Sequence, residues 1–211
     1  MKMLKTFYED LTHPEVYVAL KDTWQSLAFW GLVGVGFGWA YCYGQSLGHG
    51  IGFAMFLNWV FFMLLSAIAV TDLKHFIIPD ILVVLLFILG ITTTPSLSLA
   101  LTGSLILGLS FWFVRSLGTK MAGQEAMGLG DVKLVIALGP WIHVLGIVPF
   151  LLVASLSALL VVAGRTLLCK KQKEALPFAP FLVLGAWASY AYGYMFFMYL
   201  MYFRQIVLGL E

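Results

Sequence analysis

The sequence predicts an all-α membrane protein, a polytopic bundle of about six to seven transmembrane helices. Of its 211 residues, 62% are hydrophobic and only 10% are charged, and the mean hydropathy is +0.97. Soluble domains contain about 45–50% apolar and about 25% charged residues, and a chain of this length cannot bury so much apolar surface in one water-facing core. Ordinary soluble enzymes and disordered proteins are therefore excluded. The net charge of +2 is too small for binding nucleic acid through its phosphates.

Seven apolar runs supply the predicted helices, since about 20 apolar residues cross a bilayer. The fifth run is short, is interrupted at Gly139, Pro140 and His143, and could be re-entrant. We expect the first run to pack through its GxxxG pair, Gly34 and Gly38, because small residues let helices approach closely. The runs cover residues 24–43, 51–70, 76–91, 97–114, 131–143, 145–163 and 178–203.

The distribution of basic residues predicts the orientation. With a cytoplasmic N-terminus, every Lys and Arg except Arg204 falls on a cytoplasmic segment, as the positive-inside rule requires. We expect an interfacial or cytoplasmic segment 1–22, a transmembrane domain 23–204 and a tail 205–211. The basic residues on the predicted cytoplasmic side are Lys2, Lys5, Lys21, Lys74, Arg115, Lys120, Lys133, Arg165, Lys170, Lys171 and Lys173.

Three aspartates lie where an apolar run meets the predicted cytoplasmic boundary, and such ionisable residues indicate function by default. The other acids lie in polar segments. Asp72 follows the second run directly. Asp80 follows Pro79 and is expected to cap the helix that begins there. Asp131 opens the fifth run.

The residues before Asp131 form a Gly-Leu-Gly-Asp sequence. Gly128 and Gly130 permit a tight turn, and an acid in the first turn of the following helix is favoured in its ionised form by the helix dipole. On their own, two glycines and an acid at a helix start are common. The pattern therefore indicates a candidate site without defining its chemistry.

Together, Asp72 and Asp131 indicate aspartic-protease chemistry. Both are predicted at the same membrane face on different spans, and two carboxylates that share a site do not both ionise easily. The ionised carboxylate can activate a water while the protonated one donates to a scissile carbonyl. The alternative left open by this reasoning is a pair of solvated acids at helix ends.

Three segments resemble the type IV prepilin peptidase family, a group of GxGD membrane aspartic proteases. Residues 71–80 (Thr-Asp-Leu-Lys-His-Phe-Ile-Ile-Pro-Asp) are similar to the family's acid followed by an Ile/Leu-Pro-Asp step. Residues 128–134 (Gly-Leu-Gly-Asp-Val-Lys-Leu) are close to its GxGD-x-K-L motif. Residues 177–182 (Pro-Phe-Ala-Pro-Phe-Leu) resemble its late Pro-Phe-Gly-Pro-Phe step, with Ala179 at the usual glycine. The segments occur in the family's order.

The resemblance implies that Asp72 and Asp131 are the catalytic pair. It also implies a prepilin or pseudopilin substrate, whose short basic leader is cut after a glycine at the cytoplasmic face of the lipid bilayer. Lys133 could favour ionisation of Asp131 or anchor its span at the interface. The residues expected to support the pair are Gly128, Gly130, Asp80, Lys133, Pro177 and Pro180.

The two cysteines, Cys42 and Cys169, form no CxxC pair and no metal-ligand spacing. Many members of the family carry a cytoplasmic segment with two CxxC pairs, which is linked to N-methylation of the cut pilin. That insert is missing between the first two apolar runs. We therefore expect a minimal, peptidase-only member without a zinc site, a cofactor or methyltransferase activity.

Two other functions are compatible with parts of the sequence. Presenilin-like and signal-peptide-peptidase-like intramembrane proteases also use an Asp and a GxGD motif, but their first acid usually follows a Tyr, whereas Thr71 precedes Asp72. A non-enzymatic small transporter or assembly subunit is the other alternative. Transporters often contain internal repeats and mid-membrane acids, and neither feature is evident here.

Overall fold

The structure, a computed structural model, describes residues 14–46, 53–94, 96–123, 125, 127–168 and 176–208. Within these ranges it contains seven helices and no strand, which confirms the predicted all-α membrane architecture. The helices are α1 (Pro14–Trp24), α2 (Leu27–Ser46), α3 (Phe53–His75), α4 (Asp80–Thr93), α5 (Leu97–Ala122), α6 (Leu129–Leu168) and α7 (Ala179–Leu208).

Three described stretches are long and apolar enough to cross a membrane. They are Phe56–His75, Leu97–Met121 and Leu129–Leu167, while Ala28–Trp39 and Asp80–Thr93 are shorter apolar helices. Their backbones satisfy their own hydrogen bonds, as the interior of a bilayer requires. Most of the predicted segment 1–22 lies outside the described residues, which begin at Pro14.

Helix α6 contains the interruption that the sequence predicts between the fifth and sixth runs. The helix continues through Gly139 and Pro140 and breaks at His143, which has φ 53° and ψ 174°. A residue other than glycine rarely adopts a positive φ, so the surroundings must hold this break in place. The Thr94 hydroxyl, 2.9 Å away, is a donor for the Pro140 carbonyl. Thus α6 consists of two helical parts, 129–142 and 144–168.

The chain forms two compact units, residues 1–89 and 90–211. In the first unit, α2 packs against α3 through a fully apolar cluster of Phe29, Val33, Ala67 and Val70. Trp59, Met63 and Leu82 are partly buried against the same cluster. This packing positions the last turns of α3, where Asp72 lies.

The GxxxG prediction for α2 is wrong within the described residues. A Cβ added at Gly36 would lie 2.8 Å from Phe62 Cβ, whereas a Cβ at Gly34 or Gly38 would have nothing within 4 Å. Gly36 follows Phe29 and Val33 on the same helix face, at spacings of seven and three residues. The apolar partners on α3 thus determine which face of α2 is buried, and the GxxxG pair lies away from it.

We expect Gly36→Ala to destabilise the protein by about 1–3 kcal/mol more than Gly34→Ala, because only the first substitution overfills the contact with Phe62. Both substitutions raise helix propensity by a similar amount, so their difference isolates the packing effect. The midpoint of thermal unfolding in detergent measures it. Equal midpoints for the two variants would contradict this assignment of the α2–α3 contact.

In the second unit, α5 and α6 approach until their backbones touch. A Cβ added at Gly103 would lie 2.7 Å from the Gly139 carbonyl oxygen, and one added at Gly139 would overlap the backbone nitrogen and Cα of Ser104. Farther along, Gly108 faces Ile136 at 2.7 Å by the same measure. Small residues therefore allow the close crossing, as is usual between helices in lipid.

Helices α6 and α7 pack through a second set of small residues. The Ser189 hydroxyl donates a hydrogen bond of 2.7 Å to the Gly146 carbonyl. Gly185 lies four residues before Ser189, and a Cβ there would be 2.6 Å from the Phe150 carbonyl oxygen. Gly193 lies four residues after it, and a Cβ there would be 3.5 Å from Gly146 Cα. The spacing of four on α7 is the small-xxx-small pattern of close helix pairs.

Candidate active site

Asp72 lies in the last turn of α3, and its residue is only 6% exposed. The helix ends through Phe76, which has φ 55° and whose N–H donates to the Asp72 carbonyl over 2.9 Å. This is the left-handed termination that glycine usually provides, and it is strained for a bulky side chain. The chain therefore turns sharply four residues after the acid.

Helix α1 holds the end of α3 on both sides of Asp72. The hydroxyls of Thr23 and Thr71, both completely buried, lie 3.0 Å apart. Beyond the acid, Lys74 Nζ donates to the Asp22 carbonyl over 3.3 Å, and His75 Nε2 lies 3.7 Å from the Asp22 carboxylate. Residues 71, 74 and 75 are thus tied to α1, which limits movement of the backbone that carries Asp72.

An open cleft of about 320 Å³ lies beside the same helix end. Its lining combines apolar surface with the Glu15 carboxylate and the His75 imidazole, and it is formed by Pro14, Glu15, Val18, His75 and Ile77. An acid on an apolar wall suits a chain segment that carries both positive charge and apolar side chains.

Asp80 is the first residue of α4. The Pro79 carbonyl accepts hydrogen bonds from the N–H groups of Leu82 (3.1 Å) and Val83 (3.4 Å), so Pro79 occupies the N-cap and Asp80 the first helical position. The predicted cap is therefore displaced by one residue. Asp80 still lies in the first turn, where the helix dipole favours a negative charge.

Asp131 is the third residue of α6 and is 9% exposed. The Gly-Leu-Gly-Asp sequence therefore leads into a helix, as predicted, with Gly128 immediately before the first helical residue. A Cβ added at Gly128 would lie 3.3 Å from Asp131 Oδ2, so this glycine leaves room beside the carboxylate. Lys133 is exposed.

Arg115 holds the loop before this motif. From the sequence, Arg115 contributed only to the predicted membrane orientation. Arg115 Nε donates to the Met127 carbonyl over 2.8 Å. Its Nη2 forms an ion pair of 3.0 Å with the exposed Glu125 carboxylate. No local pattern could reveal these contacts, because the partners are 10 and 12 residues away.

Pro177 and Pro180 lie at the beginning of α7. Pro177 is buried, and Pro180 is the second residue of the helix, which begins at Ala179. The Phe178 carbonyl accepts from the N–H groups of Phe181 (3.1 Å) and Leu182 (3.4 Å). Proline is compatible with this first turn because the N–H that it lacks would have no partner within the helix.

The structure places each candidate catalytic residue in its own unit, Asp72 in residues 1–89 and Asp131 in residues 90–211. It brings Gly128 and Asp131 together in one turn. Asp72 lies in the last turn of the helix before residues 76–79, and Asp80 is the first residue of the helix after them. Cys42 is exposed, and Cys169 lies outside the described residues. Among the residues that the structure describes, no three His, Cys, Asp or Glu side chains are grouped as a metal site.

Comparisons with a family model and with curated proteins identify the same family. Residues 59–163 match the model of the type IV leader peptidase family. A prepilin leader peptidase/N-methyltransferase from Xanthomonas campestris pv. campestris is 33% identical over 166 residues, which cover 75% of this chain and 52% of the relative. A protein of the same name from Dichelobacter nodosus is 30% identical over 148 residues, 68% of this chain and 49% of the relative.

A third protein of that name, from Pseudomonas aeruginosa, is 33% identical over 137 residues. The matched residues cover 61% of this chain and 47% of the relative. The chain thus spans about half the length of the curated relatives that it matches. No solved structure is significantly similar to it. The matched region includes both Asp72 and the Gly-Leu-Gly-Asp motif. The chain therefore belongs to the type IV leader peptidase family.

Proposed function

We propose that this protein is a membrane aspartic endopeptidase that removes the short basic leader from prepilin-like or pseudopilin-like precursors. The observation that carries the proposal is the occurrence of two buried aspartates, Asp72 and Asp131, at helix ends within the region that matches the family. Ionisable residues are rare at such positions unless they serve a function. The names of the relatives support a prepilin as the substrate.

The proposed reaction uses both carboxylates and a water molecule. The ionised aspartate accepts a proton from the water, whose oxygen attacks the scissile carbonyl carbon, while the protonated aspartate donates to the carbonyl oxygen. Collapse of the tetrahedral intermediate breaks the C–N bond: the leaving amine takes the proton that the first aspartate received from the water, and one hydroxyl of the intermediate returns a proton to the second aspartate as the carboxylic acid product forms. The proposed reaction requires this division of roles, because two carboxylates that share one water cannot both ionise at low cost.

We propose that cleavage occurs at the cytoplasmic face of the inner membrane. Two basic residues, Lys74 and Arg115, lie close in sequence or in space to the segments that carry the acids. Under the positive-inside rule they belong to the cytoplasmic side. A basic leader on that side can approach the cleft that contains Glu15 and His75. The negative Glu15 carboxylate there complements the positive charge of the leader.

We also propose that this chain cleaves without methylating. The relatives carry a name that combines peptidase and N-methyltransferase, and the sequence contains no CxxC pair. The proposed site uses carboxylates and water alone. Any methylation of the new N-terminus would then require a second protein.

The test is cleavage of a full-length prepilin by the purified chain in detergent, with S-adenosylmethionine present and the product mass measured by mass spectrometry. The expected product has lost its leader and carries no added methyl group. An intact prepilin after prolonged incubation would refute the proposed peptidase activity. A methylated product would refute the peptidase-only assignment while leaving cleavage in place.

A further inference from the structure

The α5–α6 loop is held at both ends. Helix α5 ends at Gly123, which has φ 68° and whose N–H donates to the Thr119 carbonyl over 3.0 Å. The other end of the loop is held by Arg115, whose Nε donates to the Met127 carbonyl. Arg115 precedes Gly123 by eight residues, about 12 Å of helix. Met127 therefore lies back alongside α5 and not beyond its C-terminal end.

Arg115 is suited to holding this loop because its guanidinium donates in two directions from one planar group. Its side chain is only 17% exposed, whereas that of its ion-pair partner Glu125 is 76% exposed. An ion pair with so exposed a carboxylate is weak. The better protected hydrogen bond to Met127 is therefore the main contact, and Glu125 balances the charge.

The bond to Met127 acts next to the candidate catalytic motif. Met127 precedes Gly128, and a Cβ at Gly128 would lie 3.3 Å from Asp131 Oδ2. Glycine leaves the backbone free to rotate at this position, so neither Gly128 nor Gly130 can restrain the turn by its own side chain. A fixed carbonyl immediately before the first glycine removes part of that freedom.

We propose that Arg115 is a positioning residue for Asp131: by holding the Met127 carbonyl, it fixes the turn that orients the carboxylate. The inference rests on the proposed peptidase function. Misplacement of a reacting group by about 1 Å can cost about 100-fold in rate, so the contact affects the chemical step more than substrate binding.

The experiment compares Arg115→Gln and Arg115→Lys with Lys120→Gln, which removes a positive charge from an exposed position on the same helix. For Arg115→Gln we expect kcat to fall about 10- to 100-fold with KM within about two-fold of wild type. Arg115→Lys should have a kcat between those of the wild type and Arg115→Gln. Lysine keeps the positive charge but lacks the planar guanidinium that donates to Met127 and Glu125 at once. Lys120→Gln should match wild type.

Hydrogen exchange of the amides in residues 125–131 provides a readout that needs no substrate. Arg115→Gln should accelerate this exchange, while Lys120→Gln should not. Unchanged loop exchange, or a raised KM at constant kcat, would overturn the proposal. If Arg115→Gln fails to fold, the same comparison with Arg115→Lys decides. If the wild type does not cleave prepilin, the proposed function fails, and the exchange experiment still shows whether Arg115 orders the loop.

Discussion

Asp72→Asn and Asp131→Asn are each expected to lower the rate of prepilin cleavage by about 100- to 10,000-fold, the contribution that general acid–base catalysis usually makes. Asparagine has almost the shape of aspartate, but it carries no negative charge and cannot act as a general acid or base at neutral pH. The mechanism needs one ionised and one protonated carboxylate, so the loss of either disables it. The two substitutions should therefore have similar effects.

The measurement is the initial rate of leader removal at saturating prepilin, with each variant purified in the same detergent. Glu211→Gln is the control, because it removes an acid that lies 80 residues from Asp131 in the sequence and outside every proposed site segment, and it should keep the rate within about two-fold. The double variant should be no slower than either single variant, because residues that act as a unit are not additive.

Thermal unfolding separates loss of chemistry from loss of structure in these variants. Asparagine fills nearly the same space as aspartate, so both variants should still fold and unfold in a cooperative transition. Cleavage at the wild-type rate by either variant would exclude that aspartate from catalysis. A slow variant that also unfolds at much lower temperature would assign the residue a structural role instead.

The largest expected effect on stability is that of Gly139→Ala, about 2–3 kcal/mol or more. Its new methyl group would overlap the backbone of α5 at Ser104, and the Gly139 carbonyl already faces Gly103. A side-chain clash is relieved by rotamer changes, whereas an overlap with backbone atoms requires the helices to separate. Separation would also disturb the beginning of α6, which carries Asp131.

Gly164→Ala is the matched control, since Gly164 lies on the same helix and a Cβ there would have nothing within 4 Å. It should leave stability unchanged or raise it by up to about 1 kcal/mol through helix propensity. The unfolding midpoints of both variants in detergent measure the difference. If Gly139→Ala were as stable as Gly164→Ala, the close crossing of α5 and α6 would be wrong.

Features that depend on local sequence could be predicted. The apolar runs require helices because a bilayer leaves no other way to satisfy the backbone. His143 follows a glycine and a proline, and the break in α6 occurs at this residue. The Gly-Leu-Gly-Asp motif leads into a helix, and Pro180 lies in a first turn. Each of these outcomes is determined within a few residues of the chain.

Features that depend on the rotation of a helix about its axis could not be predicted. The GxxxG pair on α2 indicated one face, but the packing of Phe29 and Val33 on α3 buries the face that contains Gly36. The pairing of Gly146 with Ser189 depends in the same way on how α6 and α7 meet. An apolar helix in lipid is hydrophobic all round, so its composition does not indicate which face a partner will cover.

The sequence alone therefore determined the fold class, the approximate helix limits and the identity of the candidate aspartates, because composition, periodicity and short motifs are local properties. Only the tertiary structure decided what holds those aspartates in place. Thr23 contacts Thr71 across 48 residues, and Arg115 reaches the Met127 carbonyl across a loop. Such contacts arise when distant segments pack together, so their partners are determined by the arrangement of the helices.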